Sequence, residues 1–546
     1  MNVRRWNVAL GAALVAFAGC GRPSPGKEPN VAGSQASETP TQVIVEYTDK
    51  ASATRRTSIG EETRRTTDAP HGHAHVRLLA FNDFHGHLRP PTGGVPGVNG
   101  PVGGAAYLAA HLKRLGASEP SSLVVAAGDL VGASPLSSSL FHDEPAVEAL
   151  NAMHLSVTSL GNHELDEGWG ELWRLRRGGC HPKDGCTYAP TFRGASYEIL
   201  AANVTTNNPD FKMLAPYTIR EVSGVRIAFV GMPLRDAPES LAPENVAGLA
   251  FADEVATANA LVPQIQAQGV EAIVLLIHQG GETASTSLNG CDHLRGPVVP
   301  IVEKLHPAFD AVISGHTHAL YNCVVAGRTV TSALSFGRVV TTLDLEVDTA
   351  TRDVVSAKAT NHAVTHDVEP DPEVQAIVDR AVAVAAPIEN KVIGRITETM
   401  HAGGRGGQGS PLGAVVADAQ LFATRKLGAR LALVNVGGVR SDLVFARSGV
   451  EHEDGLVTYG EAFAAQPFGN SLVVLTVTGR ELKTVLERAA HAGMPLEVSD
   501  GVAIRYEPSK ARAQPSGHGE TKAALRVRDI VFRGARSGVA DTDKVQ

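Results

Sequence analysis

Apolar residues in this chain collect into short, sharply bounded runs. Val76–Ala80, Leu123–Ala127, Ile273–Ile277 and Ala311–Ile313 are each flanked by glycine or polar residues, the pattern of buried strands. Val225–Val230 and Val339–Val347 read the same way, while Ala105–Leu115 and Pro145–Met153 carry helical spacing between them. The order predicts an α/β protein: two packed sheets with flanking helices over 76–360, then a smaller α+β domain over 391–546. Residues 361–390 cross between the two and include an apolar helical stretch, Val374–Ala385.

Most of these strands end in metal-ligating residue types. The segments are Asn82-Asp83-Phe84-His85-Gly86, Gly128-Asp129, Gly161-Asn162-His163-Glu164, Ile277-His278 and Gly315-His316-Thr317-His318. Ligands of open α/β sheets bind at the carboxyl ends of strands, so one cleft could gather all five segments. Carboxylates, imidazoles and an amide oxygen suit two divalent cations about 3.5–4 Å apart, which clamp both oxygens of an in-line displacement at phosphorus. Asp129 is the candidate bridging carboxylate. Any one of these pairs alone is usually a cap or a solvated turn; five in this order are not.

The five segments resemble the calcineurin-like metallophosphatases, and more narrowly the periplasmic and surface 5′-nucleotidases that also hydrolyse nucleotide sugars and cyclic nucleotides. A second signature carries the narrower resemblance: Val434-Asn435-Val436-Gly437-Gly438-Val439-Arg440, then Gln466-Pro467-Phe468-Gly469-Asn470, then Thr478-Gly479-Arg480-Glu481-Leu482. The similarity runs from Val76 to the end of the chain. It implies that Asp83, His85, Asp129 and His318 hold one metal, and that Asp129, Asn162, His278 and His316 hold the other. A water shared by the cations is then the nucleophile. His163 becomes a catalytic imidazole that donates to the phosphoryl or leaving-group oxygen, with Asp166 orienting it and keeping it cationic, and Glu164 is structural. Arg440 would meet phosphate or a ribose-proximal oxygen, Phe468 would stack on a nucleobase, Asn470 would bond its edge, and Asn435 and Gly438 would shape the loop. Arg405 is a weaker candidate for a phosphate contact, because the glycine-rich stretch around it departs from the family pattern. In the family the two domains rotate to carry substrate to the metals.

The expected substrate is therefore a nucleotide or nucleotide derivative, and the expected cofactors are two divalent ions, Zn²⁺, Mn²⁺ or Fe²⁺, among which the ligand set does not discriminate. Two alternatives stand beside this reading: a phosphodiesterase or sulfur-ester hydrolase on the same metal domain, and a surface binding lipoprotein with a decayed site. A departure from the family lies near the C-terminus. The strand resembling Leu525–Phe532 should lead into another strand and a Gly-Gly-Asp-Gly-aromatic loop that supplies a second base-stacking ring, and the chain reaches Gln546 with neither. The 391–546 domain is accordingly expected to be incomplete, with one-sided stacking that forfeits about 1–3 kcal/mol.

Composition adds compartment and partners. The 546 residues carry a formal net charge of −8, which argues against a nucleic-acid-binding surface but not against a small anion in a metal cleft. Residues 1–20 read as a lipoprotein-type signal peptide: Arg4 and Arg5, an apolar Val8–Ala18 too short to span a bilayer, and Phe17-Ala18-Gly19-Cys20 as a lipobox, with ordinary cleavage near Ala18 as the alternative. Gly21 after the cysteine implies the outer membrane, facing periplasm or cell surface. Residues 21–75, rich in Pro, Ser, Thr, Glu and Gly, read as a disordered tether of a monomer whose only membrane contact is the lipid on Cys20; the His71, His73 and His75 cluster at its end is assigned no fixed role. Four further cysteines fit an oxidising space. Cys180 and Cys186 flank a tight loop and make the natural local pair, leaving Cys291 with Cys323, although sequence leaves other pairings open.

Overall fold

The computed structural model describes residues 72–208, 212–402, 410–447, 451–468, 471–491, 496–508, 525–535 and 537–545. The expected signal peptide with Cys20, most of the expected tether, Arg405 and Asn470 lie outside the described residues.

Two six-stranded mixed sheets make the first domain. Across the first sheet the strands run Val354–Ala363, Val339–Asp348, His73–Phe81, Ser122–Ala126, Leu155–Ser159 and Glu198–Leu200. The last four are mutually parallel, and the first two turn back antiparallel. Across the second they run Leu320–Val325, Arg328–Ala333, Ala311–Ser314, Ala272–Ile277, Val225–Met232 and Tyr217–Val222, with the four central strands parallel.

The unbroken apolar runs have a simple cause: these strands are buried on both faces. Along His73–Phe81, Val76, Leu78 and Ala80 enter the core between the sheets, while Leu79 and Phe81 face helices on the outside. Ala272, Val274 and Leu276 likewise point into the inter-sheet core, and Ile273, Leu275 and Ile277 point to an outer layer with the helix Glu254–Gln266. The first strand starts at His73, earlier than the run Val76–Ala80 suggests. His73, placed in the tether by its polar surroundings, pairs through Nδ1 with Glu346 Oε1 at 2.5 Å across the ladder to Val339–Asp348. That neighbour lies 273 residues away and leaves no local signal.

The crossing helix is longer than its apolar stretch. It spans Pro372–Glu389, with proline at its first position and Asp371 accepting from the backbone N–H of Glu373 and Val374. Val374, Ile377, Val378, Ala381 and Ala385 join the core of the first domain, so the helix is packed on that domain along most of its length. Its end meets the second domain, where Tyr459 N–H donates to Lys391 O at 2.8 Å and the Arg89–Glu389 ion pair closes the corner.

The second domain is α+β, with short two-stranded pairings around the helices Pro411–Thr424 and Gly479–His491. The expectation that no strand follows Leu525–Phe532 is corrected here. Lys544–Val545 pairs antiparallel with Val477–Thr478, and Val545 is buried against Leu482 and Leu486. Two residues are too short a run to read as a strand from periodicity. Both expected disulfides form, Cys180–Cys186 and Cys291–Cys323.

Candidate metal and phosphate site

The seven candidate ligands come together where the parallel strands of both sheets end. Asp83, His85 and His318 present donor atoms within 4.8 Å of one another, and Asp129, His278 and His316 form a second such group. Asn162 joins the second, its Oδ1 3.1 Å from His316 Nδ1. Asp129 lies between the two: Oδ2 is 3.0 Å from His278 Nε2 and 3.7 Å from His85 Nε2.

The imidazoles are oriented from behind. His278 Nδ1 donates to Ala127 O at 2.7 Å, and His85 Nδ1 to Gly132 O at 2.7 Å, which turns each Nε2 lone pair inward. His85 Nε2 faces His318 Nε2 at 3.1 Å, and His278 Nε2 is buried without a well-formed hydrogen bond. Two imidazole nitrogens 3.1 Å apart, and a third 3.0 Å from the Asp129 carboxylate, make a converging donor set that a cation would satisfy, so the residues fit divalent metals. Burial holds the His85 imidazole well below its ordinary pKa and lowers His316 to about 4, leaving both neutral, as ligands must be. Burial also works against charge on His278, but the adjoining Asp129 carboxylate outweighs it and raises its pKa to about 10. A proton on His278 therefore answers the same negative charge that a cation would.

The backbone is strained where these ligands sit. Asp83, His85, Asp129, His316 and His318 all have φ between 48° and 72°, the left-handed region that non-glycine residues avoid. Each costs on the order of 1–3 kcal/mol and persists only where the surroundings over-determine it. Here they do. Glu164, read as structural, accepts from Asp129 N (3.0 Å), Gly161 N (2.7 Å) and Leu130 N (2.7 Å), pinning the bridging residue. Both Asp83 oxygens accept from His316 N at 3.0–3.1 Å, tying the two sheets' loops together.

His163 stands over this cluster. Its Nδ1 meets Asp166 Oδ2 at 2.8 Å, its backbone N–H donates to Asp129 Oδ1 at 2.8 Å, and its ring centroid is 5.0 Å from that of His85. Burial opposes its protonation, yet Asp129 and the hydrogen bond to Asp166 prevail and raise its pKa. From the second domain, one Arg440 terminal nitrogen reaches to 3.4 Å from His163 Nε2, and its guanidinium lies 5.2 Å from the Phe468 ring centre. Arg440 Nε is buried with no hydrogen-bond partner among the described residues. The Arg440 loop is anchored by its own N–H to Ala465 O at 2.9 Å, just before Phe468. Asn435 is exposed and Gly438 buried; Gly438 N–H donates to Asn435 O at 2.8 Å and closes the turn.

Two supporting residues escaped the sequence reading. Phe336, itself at φ 62°, packs its ring near His85 (5.8 Å) and His318 (5.2 Å), and stacks on His87 at 3.9 Å. Asp143 accepts from Gly132 N at 2.9 Å and so steadies the carbonyl that orients His85. For Phe336 the sequence offers one hint, the Ser335-Phe336-Gly337 turn after an apolar run. For Asp143 it offers none, because the residue stands outside the five ligand segments.

Two stacked mixed sheets with this cluster at their carboxyl edges define a metallophosphatase fold. Comparison agrees: residues 76–320 match the calcineurin-like phosphoesterase family and residues 392–532 the 5′-nucleotidase C-terminal domain. The chain is 32% identical over 441 residues to Endonuclease YhcR of Bacillus subtilis, covering 80% of this chain and 34% of that protein. It is 31% identical to the cell wall protein Lmo0130 of Listeria monocytogenes, covering 76% and 56%. It thus spans about a third to just over half the length of these relatives. The 5′-nucleotidase precursor of Thermus thermophilus superposes with a TM-score of 0.68 at 24% identity, over 86% of this chain and 88% of that one. The chain belongs to the calcineurin-like phosphoesterases that carry a 5′-nucleotidase C-terminal domain.

Proposed function

We propose that the protein hydrolyses phosphate esters of nucleotides outside the cytoplasm, as a 5′-nucleotidase-like phosphohydrolase. The observation that carries this is the pair of adjacent donor clusters, with Asp129 of one 3.7 Å from His85 of the other, and with His163 beside them meeting Arg440 from the second domain. Asp83, His85 and His318 would hold one divalent ion and Asn162, His278 and His316 the other, with Asp129 common to both. When bound, such ions supply Lewis-acid charge to phosphoryl oxygens and acidify water.

The chain's own groups do the rest. Protonated His163, held by Asp166, donates to the oxygen on which charge develops. Arg440 directs its planar fork at the phosphoryl group, and Phe468, beside His163, offers a face to a base. Asn470 would bond the base edge. Two disulfides support an oxidising compartment, and export with a lipid on Cys20 is part of the proposal. No helix among the described residues is long and apolar enough to cross a membrane.

A second reading, hydrolysis of phosphodiesters, is favoured by the similarity to the Bacillus endonuclease. One assay separates them: phosphate release from AMP, UDP-glucose, 2′,3′-cyclic AMP and bis(p-nitrophenyl) phosphate, with and without Mn²⁺ or Zn²⁺, adding coupled phosphatase where a product retains its phosphate. Metal-dependent preference for AMP supports the proposal; turnover of diesters alone replaces it with the second reading.

A further inference from the structure

The helix Gly168–Arg177 begins beside Asp166 and ends, about 15 Å away at 1.5 Å per residue, in a concave surface of about 480 Å³. Its wall is Trp173, and three cations surround that indole: Arg176 at 5.0 Å, Arg177 at 4.6 Å and Lys212 at 5.8 Å from the ring. None of the three forms an ion pair with a carboxylate among the described residues. The lining contains one carboxylate, Glu198, and it is engaged by Arg220 at 3.0 Å.

Helix C-termini attract basic residues, which accounts for part of Arg176 and Arg177. It does not account for Lys212, which comes from a separate segment, or for Arg220 on the strand Tyr217–Val222. The indole N–H is spent on Lys212 O at 2.9 Å, which fixes that lysine's backbone against the ring. Three cations gathered around one concavity, in a chain whose net charge is −8, form a local reversal of sign.

We infer that this concavity is a second anion site, separate from the metal cluster, that takes a compact phosphoanion with two or more linked phosphates. Its volume is ample for a chain of linked phosphates. Cations crowd the indole, so recognition is of charge rather than of a base. The site does not depend on the reading given under Proposed function, since no residue is shared.

The test is calorimetric titration of the full chain, stripped of metal with EDTA, with tripolyphosphate at constant ionic strength. Saturable binding is expected, at least tenfold weaker in Arg176→Ala/Arg177→Ala and in Lys212→Glu, and unchanged in Arg440→Ala. The first two variants should retain metal-dependent turnover of bis(p-nitrophenyl) phosphate, which shows that they fold. Absence of saturable binding to the native chain, equal binding by the pocket variants, or loss in Arg440→Ala alone would each overturn the inference. So would a single-stranded DNA oligonucleotide binding through these residues while tripolyphosphate does not.

Discussion

A single methyl group placed at residue 161 tests how tightly the bridging carboxylate is held. A Cβ on Gly161 would lie 2.2 Å from Asp129 Oδ1, 2.4 Å from Asp129 N and 2.7 Å from Glu164 Oε2. Ordinary contact begins near 3.4 Å, so Asp129 must retreat by about 1 Å in Gly161→Ala. It has nowhere to go: Oδ1 holds His163 N, Glu164 holds its backbone, and its φ is already 50°. Overpacking of this kind costs about 1–3 kcal/mol of stability. Misplacing a reacting constellation by about 1 Å costs on the order of 10²-fold in rate. The control is Gly170→Ala, where the added Cβ meets nothing within 4 Å in a helix. Alanine there should stabilise by about 0.5–1 kcal/mol and leave turnover unchanged. Urea unfolding and kcat/KM on both variants decide it. Native activity in Gly161→Ala would refute the claim that Asp129 is rigidly placed by its neighbours.

Other outcomes follow from the same geometry. Asp166→Asn removes a group that raises the His163 pKa, so kcat should fall about 10²-fold and the alkaline limb of its pH profile should move to lower pH. Arg440→Ala should lower kcat/KM for nucleotides about 10- to 100-fold, with little rescue by Lys because the stacked planar fork is lost. His142 bonds Glu167 at 2.7 Å and Asp184 at 2.9 Å, and these raise its pKa from 6.5 to about 9, the Glu167 bond most. A raised histidine pKa means stability that is full below pH 6.5 and is lost as pH climbs through about 9. The loss should be roughly 1–2 kcal/mol once solvent screening of the exposed carboxylates is allowed for. In thermal unfolding followed from about pH 6 to 10, that decline should flatten in His142→Gln.

The strands and the ligand set were legible because one chemical fact writes both. A parallel strand buried on two faces is a continuous apolar run, and its carboxyl end is where polar residues return. Asp83, Asp129, His278 and His316 therefore announce themselves locally. What holds them does not. Phe336 and Asp143 act through contacts set by folding, and the left-handed backbone at Asp83, His85, Asp129, His316 and His318 has no composition signal beyond the nearby glycines. The second domain was less legible because most of its described strands are only two to four residues long, at or below the shortest run over which alternation can be read. Lys544–Val545 is the clearest case. Arg440 and Phe468 were found by motif alone, and their approach to His163 could only be seen in three dimensions.

Under the proposed function, Asp129 joins two divalent ions into one hydrolytic centre. Elemental analysis of the purified chain, run beside phosphate release from AMP, tests it directly in native protein and in Asp129→Ala. Two metal equivalents per native chain are expected, with loss of both stoichiometric metal and turnover in the variant. A variant that hydrolyses AMP at a near-native rate, or an active native chain holding no divalent metal, would contradict it.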